Sequence, residues 1–187
     1  MSSKLGVQNI AHTNGTNAMT IDSSGNVAMA SGKTFSATGN VLDVYQHTSI
    51  TQTAANATAN YNSTGLFLTI TPKSTSSKFL LTFHGTGHNN TADGFIIANI
   101  VLNPTSSTDI NTVMTGGTLM TDQAYGMAHF VTPSSSFRAQ LSGSILHSPN
   151  TTSPVTYNLV FKRGTRGNVY WAVSNGLNTL TAMEIGG

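Results

Sequence analysis

The spacing of apolar and polar positions changes near residue 40. From Val41 onward the chain repeats short runs in which every second residue is apolar and β-branched or aromatic residues are frequent. This alternation is typical of half-buried β-strands, and clusters of Pro, Ser, Thr and Asn separate the runs as turns. Nine strands are predicted, over residues 41–47, 65–71, 78–84, 95–102, 124–131, 137–145, 156–162, 168–173 and 179–185.

An all-β fold is predicted, because the chain contains nine strand patterns and no segment combines a 3.6-residue apolar period with helix-capping residues. Nine strands in roughly 145 residues indicate an antiparallel β-sandwich, and a jelly roll fits best because double Greek keys of eight strands suit this length. An immunoglobulin-like sandwich is disfavoured, since the chain has no Cys to form that fold's disulfide.

Residues 1–40 have a sparser pattern and are predicted to form an extended arm with a β-hairpin. Two short alternating runs flank the turn at Ser23-Ser24-Gly25, so that Met19 and Ile21 face Val27 and Met29. An isolated two-stranded hairpin is marginal in water. Its apolar stripe therefore needs a cover, either the body of the same chain or, as we favour, neighbouring copies. The chain is thus divided into an anchoring and oligomerisation arm, 1–40, and a knob, 41–187.

Composition narrows the function. Thr, Ser and Asn occupy 29, 21 and 18 positions, whereas only 14 of the 187 residues are charged. Disorder is excluded because 38% of residues are hydrophobic and the net charge is +2. A surplus of two positive charges spread along the chain does not form a phosphate-binding face. The sequence also shows neither a membrane-spanning segment nor a secretory signal. Nucleic acid and membrane are therefore not expected partners.

Several motifs resemble segments of fibre-like and decoration proteins in the virions of tailed bacteriophages, marine ones especially. The matching stretches are 10–27 (IAHTNGTNAMTIDSSGNV), 39–44 (GNVLDV), 64–66 (TGL), 70–80 (ITPKSTSSKFL), 146–157 (LHSPNTTSPVTY) and 180–187 (LTAMEIGG). Their order and spacing carry the resemblance more than any single motif. It implies a virion structural protein, commonly trimeric, displayed as a fibre, spike or capsid decoration. Related fibres have a long shaft before these motifs, and the short segment here suits a knob seated directly on the particle.

The expected function is that of a non-enzymatic homotrimer on the virion surface, made in the host cytoplasm: a capsid decoration, cement or head-fibre protein. Its expected partners are its own copies and the major capsid or tail proteins. The alternative is a short tail fibre whose knob binds a host-surface glycan through loops such as 86–94 and 103–118.

Contact residues are predicted in both parts of the chain. In the arm they are Met19, Ile21, Val27 and Met29. In the knob, the densest positive segment is a predicted turn between two late strands, carrying Lys162, Arg163 and Arg166, which suits an acidic partner. Trp171 shares a strand face with Val169 and Val173 and is assigned to the core, so Tyr170 points outward as a further contact.

Catalytic, metal and cofactor sites are not predicted. His84 and His88 share one side of an extended chain, but a zinc site would need further ligands such as Asp93, His129 or His147. The sequence contains no G-x-S-x-G motif, the turn that presents the catalytic serine of many hydrolases, so a nucleophilic serine is not indicated. A glycosidase needs two carboxylates about 5–10 Å apart, and the six in this chain are dispersed, which disfavours a polysaccharide depolymerase.

Overall fold

The computed structural model describes residues 8–11, 14–31, 38–55, 60–134, 137–172 and 176–187, which contain fourteen β-strands and no helix. The strands are β1 (Asn9–Ala11), β2 (Asn17–Ile21), β3 (Val27–Met29), β4 (Val41–Ser49), β5 (Thr53–Ala55), β6 (Asn62–Ile70), β7 (Lys78–Asn89), β8 (Phe95–Leu102), β9 (Thr118–Leu119), β10 (Ala128–Val131), β11 (Phe137–His147), β12 (Val155–Arg163), β13 (Val169–Trp171) and β14 (Asn178–Ile185). None of the described segments forms a helix of the length and apolarity that crossing a bilayer requires. Residues 1–37 and 38–187 pack as two separate units.

The N-terminal unit is a three-stranded antiparallel sheet in the order β1-β2-β3. Strands β2 and β3 pair Met19 with Met29 and Ile21 with Val27, the facing that the alternation predicts. Asp22 closes the turn, because its carboxylate accepts hydrogen bonds from the amides of Ser24 and Asn26 and from the Asn26 side chain at 2.8–2.9 Å. These bonds hold the pKa of Asp22 below its ordinary value, with the Asn26 side chain as the largest cause.

The C-terminal unit is a jelly roll. One sheet has the order β10-β8-β12-β6, with β9 also on β8, and the other has β4-β14-β7-β11, extended by β13 and β5 beside β7. Eight strands of this unit pair first with last, second with second-last, and so on inward: β4 with β14, β6 with β12, β7 with β11 and β8 with β10. This nested antiparallel pairing, distributed alternately over two sheets, defines the jelly roll and confirms the predicted fold.

The core lies between the two sheets, where alternate residues of each strand meet. Trp171, 1% exposed, lies with its ring centroid 6.3 Å from that of Phe83 and 6.2 Å from that of Phe161. The other buried members are Leu66, Ile70, Phe79, Leu81, Ile96, Ala98, Ile100, Leu141, Val155, Tyr157, Leu159, Val169, Ala172, Leu180 and Ala182. A core of this extent leaves the outer sheet faces and the loops to supply any functional surface.

Candidate functional site

One face of the N-terminal sheet is apolar and, in the described strands, exposed or half-buried. Ile10 lies opposite Met19, Met19 opposite Met29, and Ile21 opposite Val27, so the five side chains share a face. Ile10 and Val27 are 47% and 62% exposed, and no residue in the three strands is buried. We call this surface the apolar arm face. Since the two-residue alternation places the five large apolar side chains of the sheet on it, this face is suited to contact with another surface.

A second apolar surface crosses the outer face of the β4-β14-β7-β11 sheet. The strand register aligns Leu146, Leu80, Met183 and Val44 in one row, while their strand neighbours, including Leu81 and Ala182, point into the core. Val44 and Leu146 are each 55% exposed. We call these four residues the apolar row. The adjacent row is neutral and polar, made of Ser144, Thr82, Thr181 and Gln46.

The far end of the same face carries the predicted contact residue Tyr170. Its ring stacks on that of His88 with centroids 5.3 Å apart, and Arg138 lies opposite His88 in the register. Burial, and secondarily the Arg138 charge, lower the pKa of His88 below its ordinary value. Tyr170 lies on the outer face, where it is half-buried against the His88 ring; its role as a contact residue stays a prediction.

The histidines considered as metal ligands do not converge. His84 and His88 share the outer face of β7, where His84 hydrogen-bonds Gln140. His129 lies on the other sheet and stacks on Tyr125, and His147 hydrogen-bonds the Tyr157 hydroxyl at 2.9 Å. Across the described part of the chain, no three His, Asp or Glu side chains form a metal-binding group.

A pocket of about 230 Å³ opens on the outer face of the β10-β8-β12-β6 sheet. Phe95 and Ile97 of β8 form its floor. Its walls are Ala124 and Tyr125 from the segment before β10, and the residues Lys162, Arg163, Gly164 and Thr165 where β12 ends. We call it the Tyr125 pocket. None of these eight lining residues is acidic.

Tyr125 is held as a fixed platform above the sheet. Its ring stacks on His129, with centroids 4.6 Å apart and planes 26° apart, and lies 6.2 Å from Phe95. The chain can pass this close only because residue 126 is Gly: its φ is +62°, and a Cβ there would lie 2.5 Å from the carbonyl oxygen of Ala98. Even so, the Tyr125 side chain is 53% exposed.

The predicted positive segment divides between two locations. Lys162 and Arg163 line the Tyr125 pocket, and the Lys162 ammonium lies 4.5 Å above the Tyr61 ring, within the range of a cation–π contact. Arg166 does not line it; its carbonyl oxygen accepts a hydrogen bond from the Asn89 side chain. Tyr125 was not predicted as a site residue because residues 124–127 were placed in a strand, although the Tyr-Gly pair before Met127 was a turn signal.

Two carboxylates that were predicted to be dispersed lie together, so the prediction was wrong for this pair. Asp43 and Glu184 are opposite each other on β4 and β14, and the Tyr45 hydroxyl lies 3.3 Å from one and 3.5 Å from the other. The Lys73 amide donates to Glu184 at 2.7 Å, and the Lys73 ammonium pairs with Asp43 at 3.1 Å. The pairing of the first long strand with the last brings together residues that are far apart in sequence.

This carboxylate pair serves the fold. Glu184 is fully buried, with one oxygen bound to the Lys73 amide and the other beside the Tyr45 hydroxyl. Lys73 holds the pKa of Asp43 below its ordinary value, whereas burial and the two carboxylates raise the pKa of Tyr45 to about 12. The arrangement fastens the loop before β7 to the end of the sheet.

No protein-family model matches the chain, and no curated protein does. Among solved structures, it is similar to a chain of the infectious bursal disease virus Gx strain, at 12% identity and a TM-score of 0.42 over 87% of this chain and 39% of that one. A second is the infectious bursal disease virus VP2 subviral particle, at 12% identity and a TM-score of 0.21 over 76% of this chain and 41% of that one. The chain thus spans about two fifths of the length of each of these two chains.

Proposed function

We propose that this chain is a non-enzymatic structural protein of a tailed-phage virion, a homotrimeric capsid decoration, cement or head-fibre protein displayed on the particle surface. The observation that carries the proposal is the apolar arm face, in which five apolar side chains share one side of a small sheet without a buried residue. A surface of this kind is stable in water when a protein partner covers it. The motif resemblance supplies the virion context.

Copies of the same chain are the partners that we propose for the apolar arm face. The apolar row on the jelly roll offers a second contact, because Leu146, Leu80, Met183 and Val44 form a band across four strands. The row beside it carries hydroxyl and amide groups, so two copies approaching at this face meet no like-charge repulsion there. Major capsid or tail proteins are the other proposed partners.

The proposal includes no catalytic activity. Asp43 and Glu184 are the two carboxylates that the fold brings together, and both are engaged within the protein. A glycosidase acid must instead face the scissile bond of a bound sugar.

Sedimentation equilibrium of the full chain tests the homotrimer. Ile21→Lys places a charge on the apolar arm face, whereas Thr20→Lys places the same charge on the opposite face of the same strand. We expect a trimer for the wild type and Thr20→Lys, and a monomer for Ile21→Lys, because a buried unpaired ammonium is costly. A monomeric wild type would exclude the homotrimer, and a trimeric Ile21→Lys protein would exclude the arm face as its interface.

Binding to purified expanded capsids tests the location. A capsid decoration saturates at a multiple of the capsomer number. Saturation at tail stoichiometry would instead support the alternative, a short tail fibre that binds a host-surface glycan, which the Tyr125 pocket favours.

A further inference from the structure

We propose that the Tyr125 pocket binds an acidic monosaccharide unit, such as a uronic or sialic acid, within an anionic glycan. The inference deepens the glycan-binding alternative above, and it holds equally for a knob on a capsid. It rests on three features of the pocket: its size, its aromatic and apolar surfaces, and the sign of its charge.

The size of the pocket selects a small ligand unit. Its volume of about 230 Å³ is below the roughly 300–1,000 Å³ of pockets that hold drug-sized molecules. It is therefore suited to one ring rather than a long segment. Because it is open on the outer sheet face, the rest of a longer glycan can extend into solvent.

The surfaces of the pocket suit a sugar ring. Tyr125 is half exposed, and its stacking on His129, together with the tilted Phe95 ring nearby, holds the tyrosine ring in place before a ligand arrives. A pyranose carries C–H groups that pack on an aromatic face, and Phe95 and Ile97 extend the apolar contact at the floor. A platform that is already ordered loses little entropy on binding.

The charge of the pocket selects an acid. Lys162 and Arg163 are adjacent at the end of β12, and both line the pocket. No carboxylate is among the lining residues, so the side chains that line the pocket contribute positive charge and no negative charge. The Arg163 guanidinium also donates a hydrogen bond to the Gly167 carbonyl at 3.4 Å. Hydrogen bonds between ionised partners are about twice as strong as neutral ones. The Lys162 ammonium is already positioned by the Tyr61 ring.

The cationic wall of the pocket is fixed to the sheet. Gly164 lies against Phe95, where a Cβ would approach the Phe95 Cβ to 2.5 Å, and its amide donates to the Phe95 carbonyl at 3.1 Å. The Thr165 hydroxyl donates to the Asp93 carbonyl at 3.2 Å. These hydrogen bonds hold the end of β12 opposite the Tyr125 wall, so both walls are in place before a ligand binds.

Calorimetric titration of the full chain tests the site with two acidic probes, trigalacturonate and sialyllactose, and their neutral counterparts, maltotriose and lactose. We expect an acidic probe to bind and its counterpart not to bind measurably. Lys162→Gln should weaken binding roughly tenfold or more, the loss of one hydrogen bond between charged groups. Lys78→Gln removes the same charge from an exposed position at the start of β7 and should leave affinity unchanged.

Tyr125 supplies a second test. Tyr125→Ala should abolish binding, and Tyr125→Phe should retain it, because the aromatic face is kept. Both variants should fold, since the side chain is half exposed. The proposal is overturned if neither acidic probe binds, if the neutral sugars bind equally, or if Lys162→Gln and Tyr125→Ala bind as well as the wild type. A wild-type protein that forms the trimer but binds neither acidic probe would refute this inference while leaving the proposed assembly standing.

Discussion

Gly85 tests whether the jelly-roll core is packed as described. It lies in the middle of β7, facing the core, where a Cβ would lie 2.2 Å from Cζ2 and 2.6 Å from Cε2 of Trp171. It would also lie 2.5 Å from the Asn178 side-chain oxygen, which accepts a hydrogen bond from the Thr86 amide. Neither neighbour can yield easily, because the indole packs between two other aromatic rings and the Asn178 amide is hydrogen-bonded.

Because of this contact, we expect Gly85→Ala to lower the stability of the fold. In a backbone conformation open to Ala, replacing Gly stabilises a protein by about 0.4–1 kcal/mol through the unfolded state. Here the overpacking cost of about 1–3 kcal/mol outweighs that gain. For a chain of this size, each 1 kcal/mol lowers the melting temperature by about 2–4 °C. We therefore expect a lower melting temperature for Gly85→Ala, measured by far-ultraviolet circular dichroism.

A double-mutant cycle separates this contact from a general effect of the substitution. Trp171→Phe removes the indole atoms that the new Cβ would meet, and it also removes an indole N–H that is buried without a hydrogen-bond partner. We expect Gly85→Ala to cost less when it is combined with Trp171→Phe, with a coupling of about 0.5–3 kcal/mol. An unchanged or raised melting temperature for Gly85→Ala, or additive effects in the cycle, would refute the packing argument.

Three further predictions concern titration and turn geometry. Because Lys73 lowers the pKa of Asp43 below 3.8, the pair stabilises the fold above about pH 4 and loses this effect as pH falls through the folded pKa. Lys73→Met should make the urea midpoint of unfolding depend less on pH below about pH 4. Because the pKa of Tyr45 is raised from 10.0 to about 12, its neutral form stabilises the fold fully below pH 10 and this contribution is lost as pH rises through about 12; Tyr45→Phe should remove that alkaline loss, measured by the same midpoints. Gly126→Ala should displace Tyr125 and weaken binding of the acidic trisaccharide more than it lowers the melting temperature; equal affinity would contradict the described platform.

Strand alternation located most of the sheet, and its failures have physical causes. Residues 95–102 were predicted with the bounds that β8 has, because their apolar run is bounded by turn residues. Strand β6 begins earlier than predicted, at Asn62. Its first three residues are polar yet buried. The Ser63 hydroxyl donates to the Thr108 carbonyl in a loop, and the Thr64 hydroxyl donates to the Leu159 carbonyl in β12. A pattern of apolar residues does not predict the burial of polar side chains whose hydrogen bonds are made inside the protein.

The candidate site was less predictable, because it depends on long-range pairing. The charges of Lys162 and Arg163 identified them in the sequence as contact candidates. Their position near Tyr125 depends on the strand order, in which β8 lies between β10 and β12. Likewise, Asp43 meets Glu184 because the first and last long strands are neighbours. One sequence pattern is compatible with several strand orders, and a local period does not choose between them.

The chain has few charged residues, and the positions of its carboxylates and cations in the fold differ in what they can contact. Three of the six carboxylates serve the fold: Asp22 closes the hairpin turn, and Asp43 and Glu184 fasten the loop at Lys73. A carboxylate committed in this way is not available to protonate a substrate. The Tyr125 pocket, by contrast, is lined by two cations and no acid. In the proposed sugar site, Lys162 and Arg163 beside the half-exposed Tyr125 ring are therefore the groups that an anionic ligand would contact.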